Sequence, residues 1–240
     1  MKNYLKLPVL GFIAAISSSI MVSGCIIHVG ANDLEGGYSF DSETWDSGVS
    51  EDESGKRTYS STNKSIKVGE GKSVGDISSV NGSVKVEDGV SASEVSNVNG
   101  RIDIGNNVSV RNVDLVNGRI RIGEDFRSTG SIESVNGEIT IDAGGNVGGS
   151  VETVNGDIVL KQVDVATNVS TVNGDIDLRN GSVVRGDVVF SGKPNNNSWR
   201  QNPPKLSVDA SSVIEGNIIV EKEVEFDFDD ESLMDKVIRR

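Results

Sequence analysis

Apolar residues along most of this chain fall at fixed offsets from a recurring tripeptide, not in long runs. Val-Asn-Gly occurs at 80–82, 98–100, 116–118, 135–137, 154–156 and 172–174, so the successive spacings are 18, 18, 19, 19 and 18. Three residues before each valine comes Ile77, Val95, Val113, Ile132, Val151 or Val169. Four residues after it comes Val84, Ile102, Ile120, Ile139, Ile158 or Ile176, and six after it Val86, Ile104, Ile122, Ile141, Leu160 or Leu178. These last two positions alternate with mostly polar ones, the period of a strand with one buried face. Nearly all are β-branched, which favours extended backbone.

The period runs past the obvious copies. Thr62-Asn63-Lys64 lies one period upstream of the first, with Tyr59, Ile66 and Val68 at matching offsets. Downstream, Val184 to Phe190 resembles Ile214 to Val220, but at a spacing well beyond one period. The proline- and asparagine-rich stretch 193–204 accounts for the surplus as an inserted loop. A unit of this length has room for three short strands and three bends. Asn-Gly supplies one bend, since both residues tolerate positive φ. Gly, Asp and Asn seven to nine residues after the valine supply a second, as in Gly105-Asn106-Asn107, and the third segment carries Val90, Val108, Phe126, Val147 and Val165 inward.

This pattern predicts an all-β fold, a single-stranded parallel β-helix (β-solenoid) of about nine coils over residues 59–228, with its loop at 192–205. Coils stacked about 4.8 Å apart put Asn81, Asn99, Asn117, Asn136, Asn155 and Asn173 in one column, where their amides can hydrogen-bond. The competing fold is an antiparallel β-meander or barrel, because Asn-Gly is also the strongest short hairpin signal. Against it, the second bend varies in length and composition, whereas a closed barrel needs matched strands. The third apolar segment has no place in a two-strand unit.

Residues 1–24 read as an address. Lys2 and Lys6 precede an apolar run from Leu7 to Val22 that is short for a membrane span. It ends in Val22-Ser23-Gly24-Cys25, which resembles a bacterial lipobox. The resemblance implies that Cys25 becomes the first mature residue and carries acyl chains such as palmitate, each buried methylene adding roughly 0.8 kcal/mol of membrane affinity. By resemblance to the sorting of Gram-negative lipoproteins, Ile26 in place of an aspartate after the cysteine implies the outer membrane. Residues 25–58 then read as a flexible acidic tether and 229–240 as a C-terminal cap or tail. Tyr38, Phe40 and Trp45 are unusual in a spacer and are expected to dock on the first coil.

The tandem Ser-Val-Asn-Gly-x-Ile-x-Ile units, as in Ser134 to Ile141, resemble the bacterial adhesin-type β-solenoid family, and the coils around Val184 and Ile214 resemble those of bactofilins. The resemblance covers roughly residues 60–225 and implies architecture. It brings no catalytic residue.

Charge and chemistry narrow the functions. Twenty-three basic against 36 acidic side chains give −13, which argues against nucleic acid as the ligand. A single cysteine and a single histidine (His28) exclude cysteine zinc clusters and most histidine chemistry, and no cofactor motif is present. The outward column after each glycine reads Ser83, Arg101, Arg119, Glu138, Asp157, Asp175, and the next Lys85, Asp103, Arg121, Thr140, Val159, Asp177, so charge drifts from basic to acidic. Asp157, Asp175 and Asp177 are the one candidate cation patch, against the plainer reading of a solvated face. Arg185-Gly186-Asp187 follows the repeat, with glycine where Gly216 stands, and is read as part of it. The column Ser79, Asn97, Leu115, Ser134, Thr153, Thr171 lacks the threonine array of an ice-binding surface. Trp199 and Arg200, on the loop, are candidate partner contacts. Leu233, Met234, Val237 and Ile238 have helical spacing that would cover the last coil.

The expectation is a non-enzymatic, lipid-anchored envelope solenoid acting as an adhesin-like binding or structural module toward an envelope polysaccharide or protein. It would be a monomer if its ends are capped. The alternatives are a self-assembling bactofilin-like scaffold growing end to end, and a carbohydrate-active β-helix enzyme of the polysaccharide-lyase type.

Overall fold

The computed structural model describes residues 48–52, 55–192 and 203–240; Cys25, His28, the aromatic residues of the tether, Trp199 and Arg200 lie outside them. The chain winds as a parallel β-solenoid of about nine turns, each with three sides. The first side ends on the asparagine of Asn-Gly, as in Ile77–Asn81 and Val151–Asn155, and the second follows the glycine, as in Val84–Val86 and Ile158–Lys161. In three middle coils one strand runs through that corner: Glu94–Ile104, Asn112–Ile122 and Ile132–Ile141. The third side is a six-stranded sheet of two-residue strands such as Ser109–Val110 and Asn146–Val147.

Pairing is in parallel register one coil apart, so Ile102 meets Ile120 and Ile120 meets Ile139. Among the described residues the one antiparallel pair is Gly48–Glu51 against Arg57–Ser61, at the N-terminal edge. The meander and barrel are thereby excluded. Gly48–Glu51, within the stretch read as tether, is thus a strand covering the first edge of the sheet.

The three apolar columns flanking Asn-Gly are buried from Ile77 through Leu178. On the third side the inward residues form two columns where one was expected. Val90, Val108 and Phe126 lie in the first and Val147 and Val165 in the second, because a two-residue strand and the residue before it turn two side chains inward. Gly145 continues the first column beneath Phe126, and a Cβ there would come within 3.0 Å of Ile141, so the large ring is matched by an absent side chain.

The column Ser79, Asn97, Leu115, Ser134, Thr153, Thr171 is also inward and forms no surface array. Two residues after the buried −3 position, alternation returns the side chain to the interior, and the tripeptide's own valine is consequently the outward, half-buried one. At the C-terminal end, Glu225–Phe228 is a strand as its alternation suggests. The segment expected to cover the end instead completes a last coil. Glu231–Lys236 is a 3₁₀ turn capped by Asp230, burying Leu233, and Val237–Arg239 pairs beside Ile218–Val220. Met234 and Ile238 stay exposed, while the rings of Phe226 and Phe228 meet at 5.2 Å with Arg239 over Phe226. The helical spacing is realised as that 3₁₀ turn up to Lys236, and beyond it pairing with Ile218–Val220 draws Val237 and Ile238 into a strand.

Candidate functional site

The corners fix the coil. At the first, Asn81 Nδ2 donates to Asn63 Oδ1 at 3.1 Å, and Asn99, Asn117, Asn136, Asn155 and Asn173 each donate to the preceding asparagine at 2.8–2.9 Å. All six bonds point one way. The last acceptor, Asn173 Oδ1, receives the Lys222 ammonium at 3.5 Å, so a cation sits at the negative end of the aligned amides. The glycine beside each asparagine is required by close approach: a Cβ on Gly118 would lie 1.5 Å from the carbonyl oxygen of Gly100. The asparagines themselves keep ordinary φ, and their contribution is the ladder, not the bend. The left-handed residues sit at the second bend, where Asn107, Asp125, Gln162 and Asn180 take φ of 54–58°.

Just inside the first corner, the inward polar column reaches bend carbonyls of the previous coil. Asn97 Nδ2 donates to Gly82 O at 2.8 Å and Thr153 Oγ1 to Gly137 O at 3.2 Å. Among the described residues, Ser79 Oγ, Ser134 Oγ and Asn97 Oδ1 are buried with no hydrogen-bond partner.

The outward face of the first side carries a feature the sequence reading missed. Asp114, Glu133 and Glu152 stack in adjacent coils, with Glu94 diagonal to Asp114. Burial, reinforced by Glu133 and Glu94 and opposed by Arg111, pushes the Asp114 carboxyl up to about 7. Burial and then Glu152 raise Glu133; burial and then Asp76 raise Glu94, against the pull of Arg111. Tabulating the residue two before each valine would have revealed this column.

The second side bears the predicted charge drift. Over its first four coils the outward residues include Lys67, Lys85, Arg101, Arg119 and Arg121 against Glu87 and Asp103, a sum of +5 − 2 = +3. Over the next four they include Glu138, Asp142, Asp157, Asp175, Asp177 and Asp209 against Lys161, Arg179 and Lys205, a sum of −6 + 3 = −3. Most of these charges are engaged within the chain: Arg101 with Asp103 at 2.9 Å, Lys67 with Glu87 at 3.1 Å, Lys161 with Asp142 at 2.9 Å, Lys205 with Asp227 at 2.6 Å, and Arg179 with Asp177. Among the described residues, Arg119 and Arg121 have exposed side chains in no ion pair or hydrogen bond, although Glu138 lies in the next row beside Arg119. The Glu138 carboxylate takes only the Thr140 hydroxyl, at 2.9 Å.

The three aspartates considered for a cation are not gathered. Asp157 accepts the backbone N–H of Asp175, Asp175 accepts that of Lys205, and Asp177 is held by Arg179. No group of three or more His, Cys, Asp or Glu among the described residues is arranged to hold a metal. Arg185 pairs with Asp164 at 2.9 Å and Asp187 accepts from Asn217 N–H at 2.8 Å, so that tripeptide is tied into the coil.

No protein-family profile, curated protein or solved structure matches this chain. The likeness to adhesin-type solenoids rests on the repeat motif itself.

Proposed function

We propose that this chain is a lipid-anchored cell-envelope module whose solenoid works by binding or structural support, not by catalysis. The observation that supports the reading is the regularity of the described surface. Side chains one coil apart form continuous rows along flat polar sides, a surface suited to an extended or repeating partner such as an envelope polysaccharide or another protein. The anchor rests on Cys25 at the end of the apolar leader, and the surplus of acidic side chains keeps the body off an anionic membrane surface.

Metabolic labelling with palmitate tests the anchor: the wild-type chain should take up label and fractionate with membranes, and Cys25→Ser should do neither. Equal labelling of both, or a soluble wild type, would overturn the anchoring. For the body, incubation of purified protein with polyanionic glycans, with and without calcium, should show retention without shortening of the chains. Robust turnover would replace the binding reading with an enzymatic one.

A further inference from the structure

The second side changes the sign of its charge along its length. Its first four rows sum to +3 and the next four to −3, with a ninth, acidic row bearing Glu225 and Asp227 beyond them, and the change of sign falls between the row of Arg119 and Arg121 and the row of Glu138 and Thr140. At that step the two arginines hold no partner among the described residues, and the Glu138 carboxylate holds only a hydroxyl. We propose that this side is the interface of an antiparallel, two-fold dimer between copies of this chain, with the axis passing through the step.

A two-fold axis lying in the plane of contact and parallel to the strands turns the two sides face to face and reverses the coil order while keeping the strand direction. It therefore sets Arg119 of one copy opposite Glu138 of the other, Arg101 opposite Asp157 and Lys85 opposite Asp177, each twice. Arg121 falls opposite Thr140, between Glu138 and Asp142. Asp103 then faces Val159 and Lys67 faces Ser207, so no like charges meet directly along the eight facing rows, and the ninth row with Glu225 and Asp227 lies beyond them. A linear polyanion laid along this side would gain from one half and be repelled by the other. A second copy uses both halves, which is why the observations favour it over a glycan here.

Eight coils of about 4.8 Å by three residues of about 3.3 Å give roughly 400 Å² per partner, or about 800 Å² in all. That is below the size of a stable interface and fits a weak, salt-sensitive association. The proposal goes beyond the envelope reading and does not depend on it.

Sedimentation velocity of the full-length chain in one non-ionic detergent, over a concentration series, tests it. Dimer should form at low ionic strength and dissociate at high. R119E/R121E and E138R/T140K should each weaken dimerisation roughly tenfold or more, since each sets like charges against one another. Mixing the two variants should restore dimer as a heterodimer, because the acidified half of one meets the basic half of the other. Circular dichroism confirms that each variant is folded, and the shared detergent controls for association through lipid. A wild type that stays monomeric at low salt, a dimer unaffected by R119E/R121E, or a mixture no better than its components would overturn the proposal.

Discussion

Asp114 is placed where its negative charge is costly, and Asp114→Asn should show by how much. Its carboxyl stands on a partly buried row with Glu133 in the next coil and Glu94 diagonal to it, and Arg111 offsets only part of their repulsion. Displacement from the usual 3.8 to about 7 makes the folded chain hold this proton more tightly than the unfolded one. Stability from this group is therefore complete below about pH 4 and is lost as pH rises through 7. About three pH units at roughly 1.4 kcal/mol each set a ceiling near 4 kcal/mol. Residual solvent contact brings the expected cost at pH 8 to roughly 2 kcal/mol. For a domain of this size that is a shift of about 4–8 °C in Tm. Thermal unfolding followed by circular dichroism from pH 4 to 8 should show the wild type losing Tm as pH rises toward 7. Asn keeps the shape without the charge, so the variant should lie close to the wild type at pH 4, exceed it at pH 8, and keep a smaller slope from Glu133 and Glu94. A wild-type profile that is flat, or an Asp114→Asn variant destabilised equally at both ends, would refute the electrostatic reasoning.

Other substitutions probe packing and hydrogen bonding. Gly118→Ala puts a methyl 1.5 Å from the Gly100 carbonyl oxygen and should destabilise by about 3 kcal/mol or more, or prevent folding. Urea titration reads the difference, with Gly69→Ala, whose methyl would meet only the flexible Lys72 side chain, as the tolerated control. Asn117→Ala breaks two rungs of the ladder and should cost about 1–3 kcal/mol by the same titration, an effect that Asn117→Gln should not fully reverse because the longer amide loses register. Ser134→Ala removes a buried hydroxyl that has no partner among the described residues and should leave stability unchanged or raise it by about 1 kcal/mol, measured as a change in urea midpoint.

Much of the coil was legible in the sequence because stacking turns one structural requirement into a column of identical residues. The asparagines of Asn-Gly repeat since each must meet the one below, and Gly118 repeats since its neighbour's carbonyl leaves no room for a side chain. Other columns carry requirements that several residues satisfy. The left-handed position of the second bend holds Gly89, Asn107, Asp125 or Gln162, so it shows in the sequence as a loose polar cluster. The third side offers one or two apolar residues per coil, too few to separate Val108 from Val110 by periodicity. The inward polar column is easily misplaced because Ser134 and Thr153 resemble surface residues until alternation is counted from the buried strand position. The acidic row escapes notice for a different reason: Asp114, Glu133 and Glu152 are ordinary outward residues one by one, and only the parallel register makes them neighbours. At the C-terminal end, helical spacing in Leu233 to Ile238 is real but local, and pairing with the preceding coil decides the conformation.

The most direct test of the account is a nuclear Overhauser measurement on protein labelled at isoleucine and valine methyls and at asparagine side-chain amides. Parallel stacking predicts contacts between Ile102 and Ile120, Ile120 and Ile139, and Asn99 and Asn117, each pair separated by one full coil. Contacts confined to residues mirrored about each Asn-Gly, such as backbone pairing of Asn97 with Ile102 in a hairpin, would contradict it.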